Sequence, residues 1–368
     1  MKKNLLRFIA FIIIFALVFA YLQPIFNRKH NGGVMVAQFY NEPKHSLDVI
    51  MVGASGMRSS LLAPVIWDEA GITSYNLAMS GASSAAQYYL LKEVLRFHSP
   101  SVVLIQANFA FSGSGMGSDI QLRNALDYIP LSLAKLKLIA DIATRGDRQG
   151  MIDFVFPLLY YHDRDDISKL DFDRSFRQQR NLYMGSWRDH ETTYHEQSLP
   201  GAWAEDEVET RGDFLLKMLE LCRERDIAVV IVNTPSCREA RWNTARHEAL
   251  VQFAAAHELA LIDFIAPDMY LWDGIGLDVT RDFFDSNHTN VSGGGKVSRH
   301  VARFLAQTFD LPDRRMDNYD SHWDDVLTFY DGRLNRLLSS FPESDTEPAS
   351  EGERDFDFDI EGLDQDDD

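Results

Sequence analysis

Cysteine and positive charge are both scarce in this chain. Among 368 residues there are only two cysteines, Cys222 and Cys237, too few for a disulfide framework and at a spacing that matches no metal-binding motif. They could form one disulfide bond in an oxidising compartment, or pack separately as small apolar side chains. Lys and Arg number 36 against 55 Asp and Glu, with no basic stripe. Because phosphate binding depends on basic side chains, we exclude nucleic acid as a partner.

The negative charge is concentrated at the C-terminus. Of the net charge of −19, the stretch from Glu343 to Asp368 contributes 13 acidic residues against Arg354 alone. Nothing in this stretch can bury an apolar core, so we predict a disordered acidic tail over residues 342–368. The remaining chain, in a sequence that is 45% hydrophobic, is expected to form one large folded domain with appendages.

The N-terminus combines positive charge with a long apolar run. Three basic residues before position 8 precede an uninterrupted apolar run from Phe8 to Leu22, which can continue to Phe26. This order favours an N-terminus that stays in the cytoplasm and a chain that is exported after it. We therefore predict a single-pass anchor in the cytoplasmic membrane over residues 1–26, with the rest of the chain extracytoplasmic. The run of 15 residues is shorter than the roughly 20 that span a bilayer, so a cleaved signal peptide stays open.

Apolar, β-branched segments alternate with amphipathic ones along most of the chain. We predict strands at 47–52, 73–79, 102–107, 227–233 and 259–264, and helices at 60–70, 83–98, 238–257 and 293–309. Such alternation predicts an α/β fold, and we expect a flavodoxin-like three-layer sandwich around a central, mostly parallel sheet.

The same pattern predicts the domain organisation. The α/β domain is expected at 46–312, after a linker at 27–45 and before a C-terminal helical extension at 313–341. Helical and aromatic residues from about 109 to 211 interrupt the alternation. We expect them to form a helical insertion over the strand ends, where substrate specificity usually resides.

A serine lies directly after the first predicted strand, in the sequence Gly53-Ala54-Ser55-Gly56. Open α/β sheets bind ligands at the carboxyl ends of their strands, and the flanking glycines let the backbone approach a ligand closely. Small-residue turns after strands are common, so this feature alone indicates an ordinary turn more often than a catalytic serine.

An aspartate and a histidine lie three residues apart, just before the last predicted helix, in Asp285-Ser286-Asn287-His288. At this spacing the carboxylate can orient the imidazole through one ring nitrogen, while the other nitrogen faces a nucleophile. Taken alone, such a pair is more often a local turn with a solvated histidine.

Taken together, Ser55, Asp285 and His288 have the order and spacing of the SGNH/GDSL hydrolases, which the chain resembles over roughly residues 46–310. The resemblance implies that Ser55 is a nucleophile activated by the Asp285 and His288 pair. Ala54 stands where the family's Gly-Asp-Ser motif has aspartate, so the lipase-like members are not the best match.

Two further blocks can be compared with the family. Asn76-Leu77-Ala78-Met79-Ser80-Gly81 is similar to the second block, which implies that the backbone N–H of Gly81 binds an oxyanion. Gln106-Ala107-Asn108-Phe109 corresponds to the third block, Gly-x-Asn-Asp, and keeps only its asparagine. The resemblance therefore implies an oxyanion hole formed by Ser55, Gly81 and Asn108, and the sequence predicts neither a metal nor a cofactor.

The anchor and the Gly-Ala-Ser turn are similar to the envelope-facing members of this family. These include the D-alanyl-transfer protein of teichoic-acid modification and proteins that acetylate exopolysaccharides. The resemblance implies a serine-dependent O-acyltransferase or esterase that uses a cell-envelope polymer or an acylated carrier as substrate, through an acyl-Ser55 intermediate. The alternative is a non-catalytic scaffold that partners a multi-spanning membrane acyltransferase, which the altered block around Asn108 keeps open. A secreted lipase would require cleavage of the N-terminal segment.

Overall fold

A computed structural model describes residues 2–27, 31–111, 115–145, 151–163, 167, 180–186, 212–237, 244–266, 270–316 and 319–340. The predicted acidic tail, 342–368, and much of the predicted insertion lie outside these residues.

The chain alternates between strands and helices, as its hydrophobic pattern predicts. The strands are β1 Val49–Val52, β2 Ser74–Asn76, β3 Val102–Gln106, β4 Ala228–Asn233, β5 Ala260–Asp263, β6 Phe283–Asp285 and β7 His288–Thr289. The first helices are α1 Lys2–Phe26, α2 Asn31–Phe39, α3 Ser55–Ser60, α4 Ala63–Ala70, α5 Ser84–Val94, a 3₁₀ helix Ala107–Phe111, α6 Asp119–Leu126 and α7 Leu133–Arg145. The remaining helices are α8 Ile152–Val155, α9 Pro157–Tyr160, α10 Asp213–Arg223, α11 Thr244–Ala256, α12 Tyr270–Ile275, α13 Val291–Thr308 and α14 His322–Leu338.

Five strands form one parallel sheet in the order β2-β1-β3-β4-β5. Every residue of β1 and of β3 is buried, because both faces of a parallel sheet are covered and apolar β-branched side chains pack well there. The prediction of an α/β fold with a parallel sheet is therefore confirmed. Because β1 lies between β2 and β3, the strand order reverses between β1 and β3, which is where open sheets of this kind bind ligands.

The helix predicted at 60–70 begins only at Ala63, as α4, and a separate short helix, α3, ends at Ser60. The side-chain amide of Asn76 donates to the carbonyls of Met57 and Leu61 at 3.0 and 2.9 Å, which satisfies acceptors at the end of α3. Pro64 stands in the first turn of α4, where a proline is compatible with a helix start but not with continuation of the preceding helix. The long-range contact of Asn76 explains why the helical pattern alone misplaced this boundary.

The segment 27–45, expected to be a linker, contributes to the core. Within it α2 buries Met35, Val36 and Phe39, each 1% exposed, at the i, i+1 and i+4 spacing that places side chains on one side of a helix. The hydroxyl of Tyr75 in β2 donates to the carbonyl of Met35 at 2.9 Å. This short helix is therefore packed against the sheet.

The helix α14, expected within the C-terminal extension, packs on the α/β body. It contacts α4 and α13, and the ring of Trp323 stacks on that of Trp67 with 4.8 Å between ring centroids. Large aromatic surfaces of this kind contribute strongly to packing.

The N-terminal helix α1 is long and apolar enough to cross a membrane. Within Lys3–Phe26, an 18-residue window has a mean hydropathy of 2.7, and none of that window is buried. This finding rests on length and composition, and it does not show on which side of a membrane either end lies.

Both cysteines are buried and neither forms a disulfide bond. Of the two alternatives that the sequence left open, the structure therefore has Cys222 and Cys237 as separate apolar side chains. Burial raises the pKa of the Cys222 thiol to about 12, so this residue stays protonated at neutral pH.

Acid is expected to destabilise the fold through two buried histidines. Burial, with a smaller effect of Arg303, lowers the pKa of His300 to about 4, and burial with nearby His45 lowers that of His98 to about 4. The unfolded chain binds these protons near pH 6.5 and the folded chain does not, so stability is full above that pH and falls toward pH 4. Comparing urea unfolding at neutral pH and at about pH 5, we expect His300→Gln to reduce the acid-induced loss by about 2 kcal/mol. Equal losses in His300→Gln and wild type would contradict this assignment.

Candidate active site

The turn that carries Ser55 is held by both strands next to β1. The N–H of Ala54 donates to Oε1 of Gln106, at the end of β3, at 2.6 Å. The N–H of Met79, which follows β2, donates to the carbonyl of Gly53 at 3.1 Å. Ser55 is half-buried and is the first residue of α3. The hydroxyl therefore lies at the carboxyl edge of the sheet, on a turn fixed from two sides.

Gln106 is a positioning residue, a role that its place in the third family block does not indicate. Its Nε2 donates to Oγ1 of Thr234, after β4, at 3.2 Å. A Cβ at Gly53 would lie 2.8 Å from Oε1 of Gln106, and one at Gly56 would lie 2.7 Å from Oγ1 of Thr234. A Cβ at either position would therefore force the side chains of Gln106 or Thr234 to shift. The available signal was a polar residue at the end of an otherwise apolar strand.

Removing the Gln106 amide is expected to destabilise the protein measurably. In Gln106→Leu the N–H of Ala54 loses its acceptor in a poorly solvated turn, which costs about 1–3 kcal/mol of unfolding free energy. Urea unfolding measures this change. Gln252→Leu, at an exposed glutamine of α11, is the matched control and should shift the unfolding free energy by less than about 0.5 kcal/mol. Equal effects of the two substitutions would show that Gln106 does not fix the turn.

Asp285 and His288 face each other across a two-stranded hairpin. The strands β6 and β7 pair antiparallel, with Asp285 opposite His288. Nδ1 of His288 lies 2.8 Å from both carboxylate oxygens of Asp285. An ionised carboxylate only accepts hydrogen bonds, so Nδ1 carries the proton and donates, and in the neutral imidazole Nε2 is then an acceptor. The imidazole is thus in the tautomer that a general base needs.

The base of this hairpin is fixed where α13 begins. The side-chain oxygen of Asn290 accepts from the N–H groups of Ser292 and Gly293 at 3.0 and 3.1 Å, which caps the helix. Asp282 accepts from Nζ of Lys296 at 2.6 Å. A Cβ at Gly293 would lie only 2.2 Å from the carbonyl oxygen of Asp282, so glycine is required there.

Two sets of contacts join the hairpin to the elements around Ser55. First, β7 packs on α3, and Oγ1 of Thr289 donates to Oγ of Ser60 at 3.2 Å. Second, Oγ of Ser236 lies 3.3 Å from the carbonyl oxygen of Ser286 in the hairpin turn. Ser236 lies two residues after Thr234, whose hydroxyl accepts from Gln106. Gln106 in turn holds the Ser55 turn. The structure therefore brings the Asp285 and His288 pair to the same edge of the sheet as Ser55, with their elements in contact.

The two remaining predicted site residues follow the strands on either side of β1. Gly81, after β2, is exposed and has φ +62°, a conformation that favours glycine. Asn108, after β3, is exposed in the 3₁₀ helix. Ser55, Gly81 and Asn108 therefore follow the ends of three adjacent strands, β1, β2 and β3. Neighbouring strands lie about 4.8 Å apart.

Part of the insertion holds the turn that contains Gly81. Nε2 of Gln121 in α6 donates to the carbonyl of Gly81 at 2.5 Å. The N–H of Ala85 donates to the carbonyl of Gly115 at 3.0 Å, and Oγ of Ser83 donates to that of Met116 at 3.1 Å. In its described part, the insertion therefore positions one of the candidate oxyanion donors, a role that the sequence did not reveal.

A second histidine and aspartate pair, also missed by the sequence analysis, lies farther along the edge. Nδ1 of His247 is 2.8 Å from Oδ2 of Asp263, at the end of β5, and Asn233 donates to the other oxygen at 2.7 Å. Since β5 is the third strand from β1, this pair lies about 14 Å along the sheet from the Ser55 strand. It provides a matched control for experiments on His288.

Cys237 is close to the hairpin but is unsuited to be a nucleophile. Burial, together with the charge of Asp285, raises the pKa of the Cys237 thiol to about 12. The reactive form of cysteine is the thiolate, which is therefore scarce at neutral pH. Among the described residues near the pair, the Ser55 hydroxyl is the better candidate.

Comparison with protein-family models and with curated proteins finds no match to this chain. Its function must therefore be inferred from the geometry of the site and from the sequence motifs.

Proposed function

We propose that the protein is a serine-dependent O-acyltransferase or esterase of the SGNH/GDSL type that acts on a cell-envelope polysaccharide or polymer. The observation that supports this best is the imidazole of His288, held through Nδ1 by Asp285 in a hairpin packed on the helix that begins with Ser55. The strand order 2-1-3-4-5 is that of flavodoxin-like sheets, which favours the three-layer sandwich within the α/β class.

In the proposed reaction, Oγ of Ser55 attacks the carbonyl carbon of an ester or thioester while Nε2 of His288 takes the hydroxyl proton. Asp285 fixes the tautomer and stabilises the imidazolium. The oxyanion is bound by the N–H groups of Ser55 and Gly81 and by the Asn108 amide, each worth about 3–4 kcal/mol.

The second half of the reaction returns the enzyme to its starting state. The tetrahedral intermediate expels an alcohol or thiol, which receives the proton from His288 and leaves an acyl ester on Ser55. A hydroxyl of the acceptor, or water, then gives its proton to His288 and attacks the acyl carbonyl. Oγ of Ser55 is then expelled and takes the proton back from His288. The product is the acylated acceptor, or the free acid when water attacks.

The location is part of the proposal. Basic residues in the first turns of α1 favour an N-terminus on the cytoplasmic side, with the α/β domain outside the cytoplasmic membrane. Envelope polymers carry hydroxyl groups that could accept an acyl group there.

The second candidate is a non-catalytic scaffold that partners a multi-spanning membrane acyltransferase. It is favoured by Gln106 and Phe109, which stand where the family's third block has glycine and aspartate. Lack of turnover on acyl donors, together with co-purification with such a membrane protein, would support it.

Labelling with a fluorophosphonate probe tests the proposed nucleophile. We expect full-length protein to be labelled on Ser55, because an activated hydroxyl attacks phosphorus as it attacks a carbonyl. Ser55→Ala should not be labelled, whereas Ser59→Ala, on the same helix but with its hydroxyl on the carbonyl of Gly56, should behave as wild type. Equal labelling of wild type and Ser55→Ala would contradict the proposal.

A further inference from the structure

The exposed part of α1 is shorter than the membrane that it would cross. Residues 3–18 are exposed throughout, and contacts with the folded body begin at Phe19. The ring of Phe19 meets that of Phe156 at 5.3 Å between centroids, Oε1 of Gln23 accepts from the N–H of Leu158 at 2.9 Å, and Ile25 is 1% exposed. The end of α1 is therefore packed on the region of α9.

The 16 residues at positions 3–18 span only about 24 Å at a rise of about 1.5 Å per residue. The hydrocarbon core of a bilayer is about 30 Å thick, and any tilt of the helix lengthens the stretch required. Because about 24 Å of exposed helix must cross about 30 Å of hydrocarbon, the hydrocarbon core of the bilayer extends at least about 6 Å beyond Val18, toward Gln23. At that level it meets the parts of the body that bind Phe19 and Gln23.

The helices that contact the end of α1, together with those next to them, expose apolar side chains. Of the twelve large hydrophobic residues that are exposed outside α1 in the described chain, seven fall between positions 120 and 160. Six of them lie between position 131, two residues before α7, and the end of α9. They define what we call the insertion's apolar surface: Leu131, Leu133, Leu136, Ile152, Leu159 and Tyr160. Such a concentration on one part of a protein marks an interaction surface.

These helices form a unit joined to α1. Contacts run from α1 to α9, from α9 to α8 and from α8 to α7. The guanidinium of Arg123 lies 3.7 Å from the ring centroid of Tyr160 and 4.0 Å from that of Phe154, and it pairs with Asp153 at 2.5 Å. On α7, exposed Lys137 is close in sequence to Leu133 and Leu136, so a cation accompanies the apolar side chains, as in helices that lie at membrane surfaces.

We infer that the insertion's apolar surface lies in the headgroup and outer acyl region of the same bilayer that α1 crosses. Burial of about 5–10 Å is usual for interfacial helices, which matches the depth that the short exposed part of α1 requires. The inference rests on the anchor in the proposed function and is independent of the chemistry at Ser55.

Depth-dependent quenching in nanodiscs tests this inference. Full-length Leu133→Cys and Leu159→Cys proteins are labelled with an environment-sensitive dye and placed in discs of phosphatidylethanolamine and phosphatidylglycerol containing a lipid with a doxyl quencher near its headgroup. Val251→Cys and Met316→Cys, at exposed apolar residues of other elements, are the matched controls. Ile13→Cys, measured with a second lipid whose doxyl group lies near the end of its acyl chain, reports insertion of α1. The wild-type chain measures labelling of the two buried cysteines.

We expect at least about twofold quenching at positions 133 and 159 and almost none at 251 and 316, because only a membrane-immersed label meets the quencher. Quenching at position 13 without quenching at 133 and 159 would overturn the inference and leave the anchor intact. No quenching at position 13 would instead remove the anchor itself. Shielding of 133 and 159 only after a second membrane protein is added would show that the surface binds protein and not lipid.

Discussion

Replacing His288 with alanine is expected to lower turnover of an activated ester by about 10⁶-fold, because the Ser55 hydroxyl loses the base that takes its proton. The side chain of His288 is 17% exposed, it lies in a two-residue strand of the hairpin, and its Nδ1 contacts Asp285. We therefore expect the free energy of unfolding to change by less than about 1 kcal/mol. Initial rates on an aryl ester and urea unfolding monitored by circular dichroism measure the two effects.

The matched control is His247→Ala, which removes a histidine that also contacts an aspartate through Nδ1 at 2.8 Å. Because that pair follows β5, it should leave turnover within about twofold of wild type. Equal loss of activity in the two variants would indicate a general effect on the sheet edge. Full activity of His288→Ala would contradict the proposed base.

Asp285→Asn is expected to reduce turnover by about 10⁴-fold while leaving the hairpin in place. An amide can donate to Nδ1 and thereby put the proton on Nε2, the nitrogen that must accept it from Ser55. It also lacks the charge that stabilises the imidazolium. Steady-state kinetics on the same aryl ester measure the loss.

The control for this substitution is Asp263→Asn, in the other pair. Asp263 is buried and accepts from Asn233 and from the N–H of Ile265, so the control is expected to lose stability but to retain activity per folded molecule. If Asp285→Asn keeps wild-type turnover, Asp285 does not orient the imidazole.

The central sheet could be predicted from the sequence because each strand is a short apolar run bounded by turn residues. The ends of the strands could not. The pattern predicts a strand at 73–79, yet β2 stops at Asn76, whose side chain binds carbonyls of α3. Beyond it the N–H groups of Leu77 and Met79 still donate to the carbonyls of Met51 and Gly53, but the regular strand has ended, and these partners lie far away in the chain.

The helix α2 escaped prediction for a related reason. Nine residues are too few to form a stable helix alone, and its packing against Tyr75 depends on a contact 40 positions along the chain. Local pattern gives little information about such a segment, which was expected to be a linker.

The candidate site also combines a contact between near neighbours in the sequence, which can be predicted, with contacts between distant residues, which cannot. Asp285 and His288 are three residues apart, so local spacing already predicts that the side chains can meet. Gln106 acts on Ala54 across 52 positions, and Ser236 acts on Ser286 across 50. These contacts become visible only when the fold brings the strand ends together.

The most direct test of the account is the mass of the protein after brief exposure to an acyl donor and rapid acid quenching. Covalent catalysis at Ser55 predicts an added mass of one acyl group, located on the peptide that contains Ser55. This adduct should be absent from Ser55→Ala and should accumulate in Asp285→Asn only at a much lower rate. Turnover without any adduct on Ser55, or with the adduct on another residue, would contradict covalent catalysis at this serine.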